Sequence, residues 1–201
     1  MKRAAALGFR VHSGWTAMVA ISLDEGAPQV LLRQRPHLVH TFTFEFRQPY
    51  HTAEKKPLDE ARAFIERMQA EARQLASQAI HVVQKELHSL GYQLDRCGLL
   101  LATRRPPSDL GQILASHALI HAADGELFRD ALTHASESHG LKVFTAKENG
   151  LLDTAVEVLH QPQQELARRL TSLGSSLGPP WSQDEKLSAL VAWLSLSGTK
   201  R

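Results

Sequence analysis

Cysteine is nearly absent from this chain of 201 residues: Cys97 stands alone. An internal disulfide is therefore excluded, and a lone thiol inside an apolar run reads as an inert core residue. No apolar run approaches the ~18 residues of a membrane-spanning helix. The apolar stretch within the basic start MKRAAALGFR is too short for a secretory signal. A soluble, cytoplasmic protein with no membrane contact is the expectation. Charge of one sign is also lacking: 23 Lys and Arg face 21 Asp and Glu. A net charge of +2 advertises no global field for nucleic acid or anionic lipid. Neither a Walker-type phosphate loop nor a dinucleotide fingerprint occurs, so nothing argues for ATP or NAD. No internal repeat and no domain boundary break the chain, which reads as a single domain over 1–201.

What is present is the composition of a globular protein, 43 % hydrophobic and 22 % charged, in a chain long enough to bury a sizeable core. Eleven histidines are unusual, and they add positive charge below about pH 6.5. Short strands are expected over 4–9 (AAALGF) and 15–23 (WTAMVAISL). The turn chemistry of Asp24, Glu25 and Gly26 then leads into a third strand over 29–39. Residues 41–46 alternate strictly, with Phe42, Phe44 and Phe46 on one side, and predict a further strand or extended edge whose rings are sheet core; exposed, they would stack bases. A polar connection follows. Residues 57–90 predict one long or broken helix with a seam of Ala61, Ile65, Met68, Ala72, Leu75, Ala79 and Val82, ended by Gly91. That seam covers a sheet or takes a partner helix. The apolar run 97–102 (CGLLLA) is the mark of a strand buried on both faces. Strand 141–145, helix 163–173 and a closing helix capped by Ser182 complete the order.

Residues 108–139 read as one helix of about eight to nine turns, N-capped by Ser108 and stopped by Gly140. At ~100° per residue, Leu110, Ile113, Leu114, Phe128, Ala131, Leu132 and Ala135 share a core-facing stripe. His117, His121 and Asp124 interrupt it at i, i+4 and i+7. Stranding such groups in a core would cost about 1–3 kcal/mol each, so the triplet is either a satisfied polar patch or a ligand site. Two imidazoles at this spacing suit one divalent metal ion, with Asp124 as a third ligand. The residue after His117 is Ala118, so the glutamate of a zinc-protease motif is missing.

Several of these segments resemble the ribonuclease H-like superfamily, in particular its Holliday-junction resolvase type. ALGFRVHSGWTAMVAI is similar to that family's opening strand, glycine turn and second strand. DLGQILASHALIHAADGE resembles the helix after its fourth strand, and QDEKLSALVAWLSL its closing helix. The resemblance implies an α/β fold in the order β-β-β-α-β-α-β-α, a mixed sheet with helices on its faces. It also implies two-metal phosphodiester hydrolysis by clustered carboxylates. Those carboxylates are largely missing. Arg10 and His12 stand where the first-strand acid belongs, Thr103, Arg104 and Arg105 where the fourth-strand acid belongs, and only Asp184, beside Glu185, occupies an acidic position of the pattern. In such a fold strands one and four end side by side, so Arg10, His12, Arg104 and Arg105 are expected to form an anion site for phosphate or a nucleic-acid backbone. The leading expectation is a catalytically degenerate module that binds or scaffolds nucleic acid or another phosphate-bearing partner. Two alternatives stand beside it. One is an active metal-dependent nuclease using His117, His121 and Asp124, or a site rebuilt around Asp184. The other is a helical module that binds a protein partner through 57–90.

Overall fold

The computed structural model describes residues 2–103, 105–175 and 177–198. Three antiparallel strands open the fold: β1 (Arg3–His12), β2 (Trp15–Asp24) and β3 (Ala27–Gln34). Glu25 and Gly26 both take positive φ at the second hairpin, as its tight turn requires. β3 stops at Gln34, short of the expected end, because the following Arg35-Pro36 pair disfavours a continued ladder. Leu38 and Val39 are buried all the same. The chain turns back so that the Leu38 N–H donates to the Gly14 carbonyl and His37 bridges Trp15.

Residues 41–46 do not form a strand. A loop leads into α1 (Phe44–Arg47) and α2 (Pro49–Ala53), leaving Phe42 and Phe44 exposed while Phe46 packs on the core. α3 (Leu58–Ser89) matches the expected long helix, ending before Gly91 at φ +84°. Its buried face runs Ala61, Ile65, Met68, Ala72, Ala76, Ile80, Val83 and Leu87. The stripe thus drifts away from the 3.5-residue seam, and Val82 is exposed. A straight helix against its own domain does this; a coiled coil would not.

β4 (Tyr92–Leu101) runs parallel to β1 and to β5 (Lys142–Lys147), giving the sheet order β3-β2-β1-β4-β5. The expected single helix over 108–139 is two: α4 (Leu110–Leu114), whose N-terminal amide of Gln112 donates to Asp109, and α5 (His117–Ser138). Ser116 takes extended backbone between them. α6 (Leu151–Leu159), absent from the expectation, precedes α7 (Gln163–Ser172) and α8 (Gln183–Ser197). Ser182 and Glu185 cap α8 reciprocally in a capping box.

Helices cover both faces of the sheet. Leu7, Phe9, Met18 and Leu99 join the buried sides of α3 and α5, including Ile80, Phe128 and Leu132. On the other face Ala6, Val19, Ile21 and Leu100 meet α8, whose outer side α6 and α7 cover. Past its charged first turn α8 is buried on every side, from Leu187 to Ser195. It lies unusually near the sheet. A Cβ on Gly8 would stand 1.8 Å from the Ser188 carbonyl oxygen, and one on Gly98 would stand 2.4 Å from that of Val191. No helix among the described residues is long and apolar enough to cross a membrane.

Candidate functional site

β1, β4 and β5 run parallel, so their carboxyl ends share one edge of the sheet, where open α/β sheets place ligands. Side chains alternate along β1, which puts Arg10 and His12 on the α8 face with Ala6 and Gly8. β4 ends in Leu101 followed by Ala102 and Thr103, with no acid to meet them. Arg10 accordingly reaches across to Glu148, just beyond β5, donating to Oε2 at 3.2 Å and Oε1 at 2.7 Å. Its other terminal nitrogen donates to Asp184 in the first turn of α8. His12 Nε2 lies 3.0 Å from the same Asp184 oxygen. Arg35, just past β3, pairs with the buried Glu185 at 2.6 Å. Hydrogen bonding to Glu148 raises the Arg10 guanidinium above its ordinary value. Burial opposes ionisation of Asp184, but the charges of His12 and Arg10 outweigh it and hold the carboxyl below its usual range. Glu185 behaves alike: burial is outweighed by Ser182 and Arg35. The centre is a closed ion-pair network, three carboxylates against two guanidinium groups and an imidazole.

A ribbon of rings leads away from it. His12 stacks on Trp15 with centroids 4.2 Å apart and planes 6° from parallel. Arg35 lies 5.1 Å over Trp15. Through the bridge between Trp15 and His37 the ribbon continues to Phe42, stacked on His37 at 4.2 Å, and to Arg47, 4.4 Å from the Phe42 centroid. Phe42 is 41 % exposed and Phe44 60 %. Arg47 also donates to the Ser13 carbonyl at 3.1 Å, tying α1 to the turn after β1. Gly14 sits in that turn at φ +80°, and a Cβ there would strike the Arg47 side chain at 2.7 Å.

A second cluster forms where α2 meets the start of α5. His117 and His121 are exposed, unlike the buried positions expected of them: they stand in the opening turns of α5, where Ile120 is the buried residue and the core-facing stripe continues only from Ala123 onward. Their Nε2 atoms approach to 3.0 Å. Asp124 is buried, as the stripe predicted, yet it does not point at them as a third ligand. It accepts from the Tyr50 amide at 2.7 Å and lies 2.5 Å from His51 Nδ1. Burial raises the Asp124 carboxyl above its ordinary value, against the lowering pull of Tyr50 and His51. The third member of the cluster is His51, which α2 supplies: one ring nitrogen from each of His51, His117 and His121 lies within 4.8 Å of the others.

Of the four residues expected to bind an anion, the structure thus brings Arg10 and His12 together. Arg105 lies on the α5 side of the sheet, where it donates to Glu126 at 3.0 Å. Arg104 lies outside the described residues. His51, Glu148, Arg35 and Arg47 had no signal in the sequence, since each joins its site only through tertiary contact.

No protein-family model matches the sequence, and no curated protein does either. Solved structures do match. The chain is similar to RuvC of Thermus thermophilus in complex with a Holliday-junction substrate, with a TM-score of 0.54 and 9 % identity over 98 % of this chain and 94 % of that one. A second Thermus thermophilus RuvC structure gives a TM-score of 0.52 and 9 % identity, covering 94 % of this chain and 92 % of its own. The fold is therefore ribonuclease H-like, as in the Holliday-junction resolvases, and the five-stranded mixed sheet with helices on both faces agrees with it.

Proposed function

We propose that this ribonuclease H-like chain is a nucleic-acid-binding module that holds its ligand without hydrolysing it. The observation that carries the reading is Arg10, seated between Asp184 and Glu148 at the strand ends. Two hard cations need a cluster of free oxygen ligands. Among the described residues, Glu148, Asp184 and Glu185 are each taken by a cationic side chain, and the carboxyl end of β4 brings no acid. This donor set does not fit a pair of Mg²⁺ ions. What the same edge offers instead is a row of rings and cations, half-buried at Trp15 and Arg47 and exposed at Arg35, His37, Phe42 and Phe44. Rings take the faces of unstacked bases and guanidinium groups take phosphates, a combination that favours single strands or opened junctions. A net charge of only +2 makes the affinity modest and local. The helical-module reading loses its basis, because the α3 stripe is spent on the domain's own core.

The test is fluorescence anisotropy with a short single-stranded oligonucleotide and a four-way junction at two salt concentrations. Binding should weaken with salt as counterions are released. Phe42→Ala with Phe44→Ala should weaken it by about 1–3 kcal/mol per stacked base lost. Equal affinities for the two proteins would remove the ribbon as the interface. Mg²⁺-dependent cleavage abolished by Asp184→Asn would reinstate a nuclease rebuilt around that residue.

A further inference from the structure

We propose that His51, His117 and His121 bind one borderline divalent transition-metal ion, with Zn²⁺ the best chemical match, and that Asp124 orients His51 for it. The inference is independent of the nucleic-acid reading and uses none of its residues. Its first ground is convergence: two helices bring one ring nitrogen from each histidine to within 4.8 Å of the others. Two nitrogens bound at about 2.0–2.1 Å to one tetrahedral ion stand about 3.3 Å apart. His117 and His121 already place theirs 3.0 Å apart, on adjacent turns of α5. The rings of His51 and His121 lie 4.4 Å apart and those of His51 and His117 5.3 Å, both edge to face.

The second ground is Asp124. A carboxylate only 3 % exposed is costly unless something uses its charge. It takes the Tyr50 amide with one oxygen and His51 Nδ1 with the other. A proton held on Nδ1 leaves Nε2 as the lone-pair nitrogen, turned away from the carboxylate. Carboxylate–imidazole–metal relays are built this way, and the carboxylate fixes the tautomer and strengthens the ligand. It also supplies negative charge beside three neutral imidazoles, at a helix start whose dipole alone would repel a cation. Nitrogen ligands select Zn²⁺, Ni²⁺ or Cu²⁺ over Mg²⁺ and Ca²⁺. Three protein ligands, two of them exposed, leave a fourth position open to water or an anion, so the ion is exchangeable rather than sealed in. The other close histidine pair, His81 with His139, has ring centroids 6.1 Å apart, and His139 is already held by Ser77 and Gln84.

The full chain, stripped with a chelator, is titrated with Zn²⁺ against a chromophoric zinc indicator, and separately with Co²⁺ while visible absorption is recorded. One equivalent should bind, with intense Co²⁺ bands of a four-coordinate site. His117→Ala and His121→Ala replace exposed side chains, so they should keep the wild-type circular dichroism and lose the tight site. Asp124→Asn should weaken it about 10- to 100-fold. His81→Ala with His134→Ala should leave it unchanged. Absence of a stoichiometric site in the wild type would overturn the assignment. So would wild-type affinity in both His117→Ala and His121→Ala, or loss of the site in the His81, His134 variant.

Discussion

Replacing Arg10 by methionine should destabilise the protein by about 1.5–3 kcal/mol at pH 7, and this cost should fade in acid. Methionine keeps the aliphatic stem and removes the charge. Arg10 is 23 % exposed, Asp184 18 % and Glu148 42 %. The bond to the half-exposed Glu148 is worth a few tenths of a kcal/mol after screening, up to about 1. The bond to the less exposed Asp184 is charge-assisted and worth about 1.5–2, since only His12 and a more distant Arg35 nitrogen at 3.9 Å would remain to compensate it. Because the folded protein holds the Asp184 carboxyl below its usual range, its contribution is complete above the unfolded value of about 3.9 and is lost as pH falls through the lower folded value. The variant removes part of that depression, so its deficit is full at neutral pH and shrinks as pH drops below about 4. Urea unfolding followed by the fluorescence of Trp15, Trp181 and Trp193 measures it in both proteins across that range. A deficit below about 0.5 kcal/mol at pH 7, or one that does not change with pH, would refute the ion-pair account of this centre.

Gly8→Ala should cost more than the usual overpacking penalty of about 1–3 kcal/mol, because its Cβ meets helix backbone rather than a movable side chain; denaturant midpoints check it. Phe128→Ala, at 1 % exposure between α5 and the sheet, should cost about 3–5 kcal/mol. Ile80→Val should cost about 0.5–1.5 kcal/mol while Val82→Ala stays within about 0.5; equal effects would mean the α3 stripe is misplaced. Cys97 should resist thiol reagents in the native protein, since burial pushes its thiol up to about 11, and should react at once in urea.

The parts of the fold that showed in the sequence are those where local chemistry and tertiary packing agree. CGLLLA is apolar without alternation because β4 is central and covered on both faces. Ser182 and Glu185 are three residues apart because a capping box needs that spacing. Elsewhere tertiary contact decided. Phe42, Phe44 and Phe46 alternate like a strand, but past Pro36 the chain has no ladder to join, and two of the rings stay in solvent. Residues 108–139 carry helical periodicity across Ser116, yet that residue is extended, so α5 begins at His117, and His117 and His121 stay exposed in its opening turns although they share the face of Phe128. The seam on α3 drifted because 3.5 and 3.6 residues per turn diverge over its length. At the sites, Arg10 and His12 drew notice because they break a family pattern that Asp184 keeps. Glu148 and His51 did not, because each reaches its site by a contact between residues 138 and 73 positions apart, Glu148 with Arg10 and His51 with Asp124.

The most direct test of the central claim is a binding isotherm for a labelled oligonucleotide in Mg²⁺, with strand length checked after equilibration. The expected results are salt-dependent binding, weakened by Phe42→Ala with Phe44→Ala, and an oligonucleotide recovered at full length. Absence of binding, or shortened product that depends on Mg²⁺ and on Asp184, would contradict that claim.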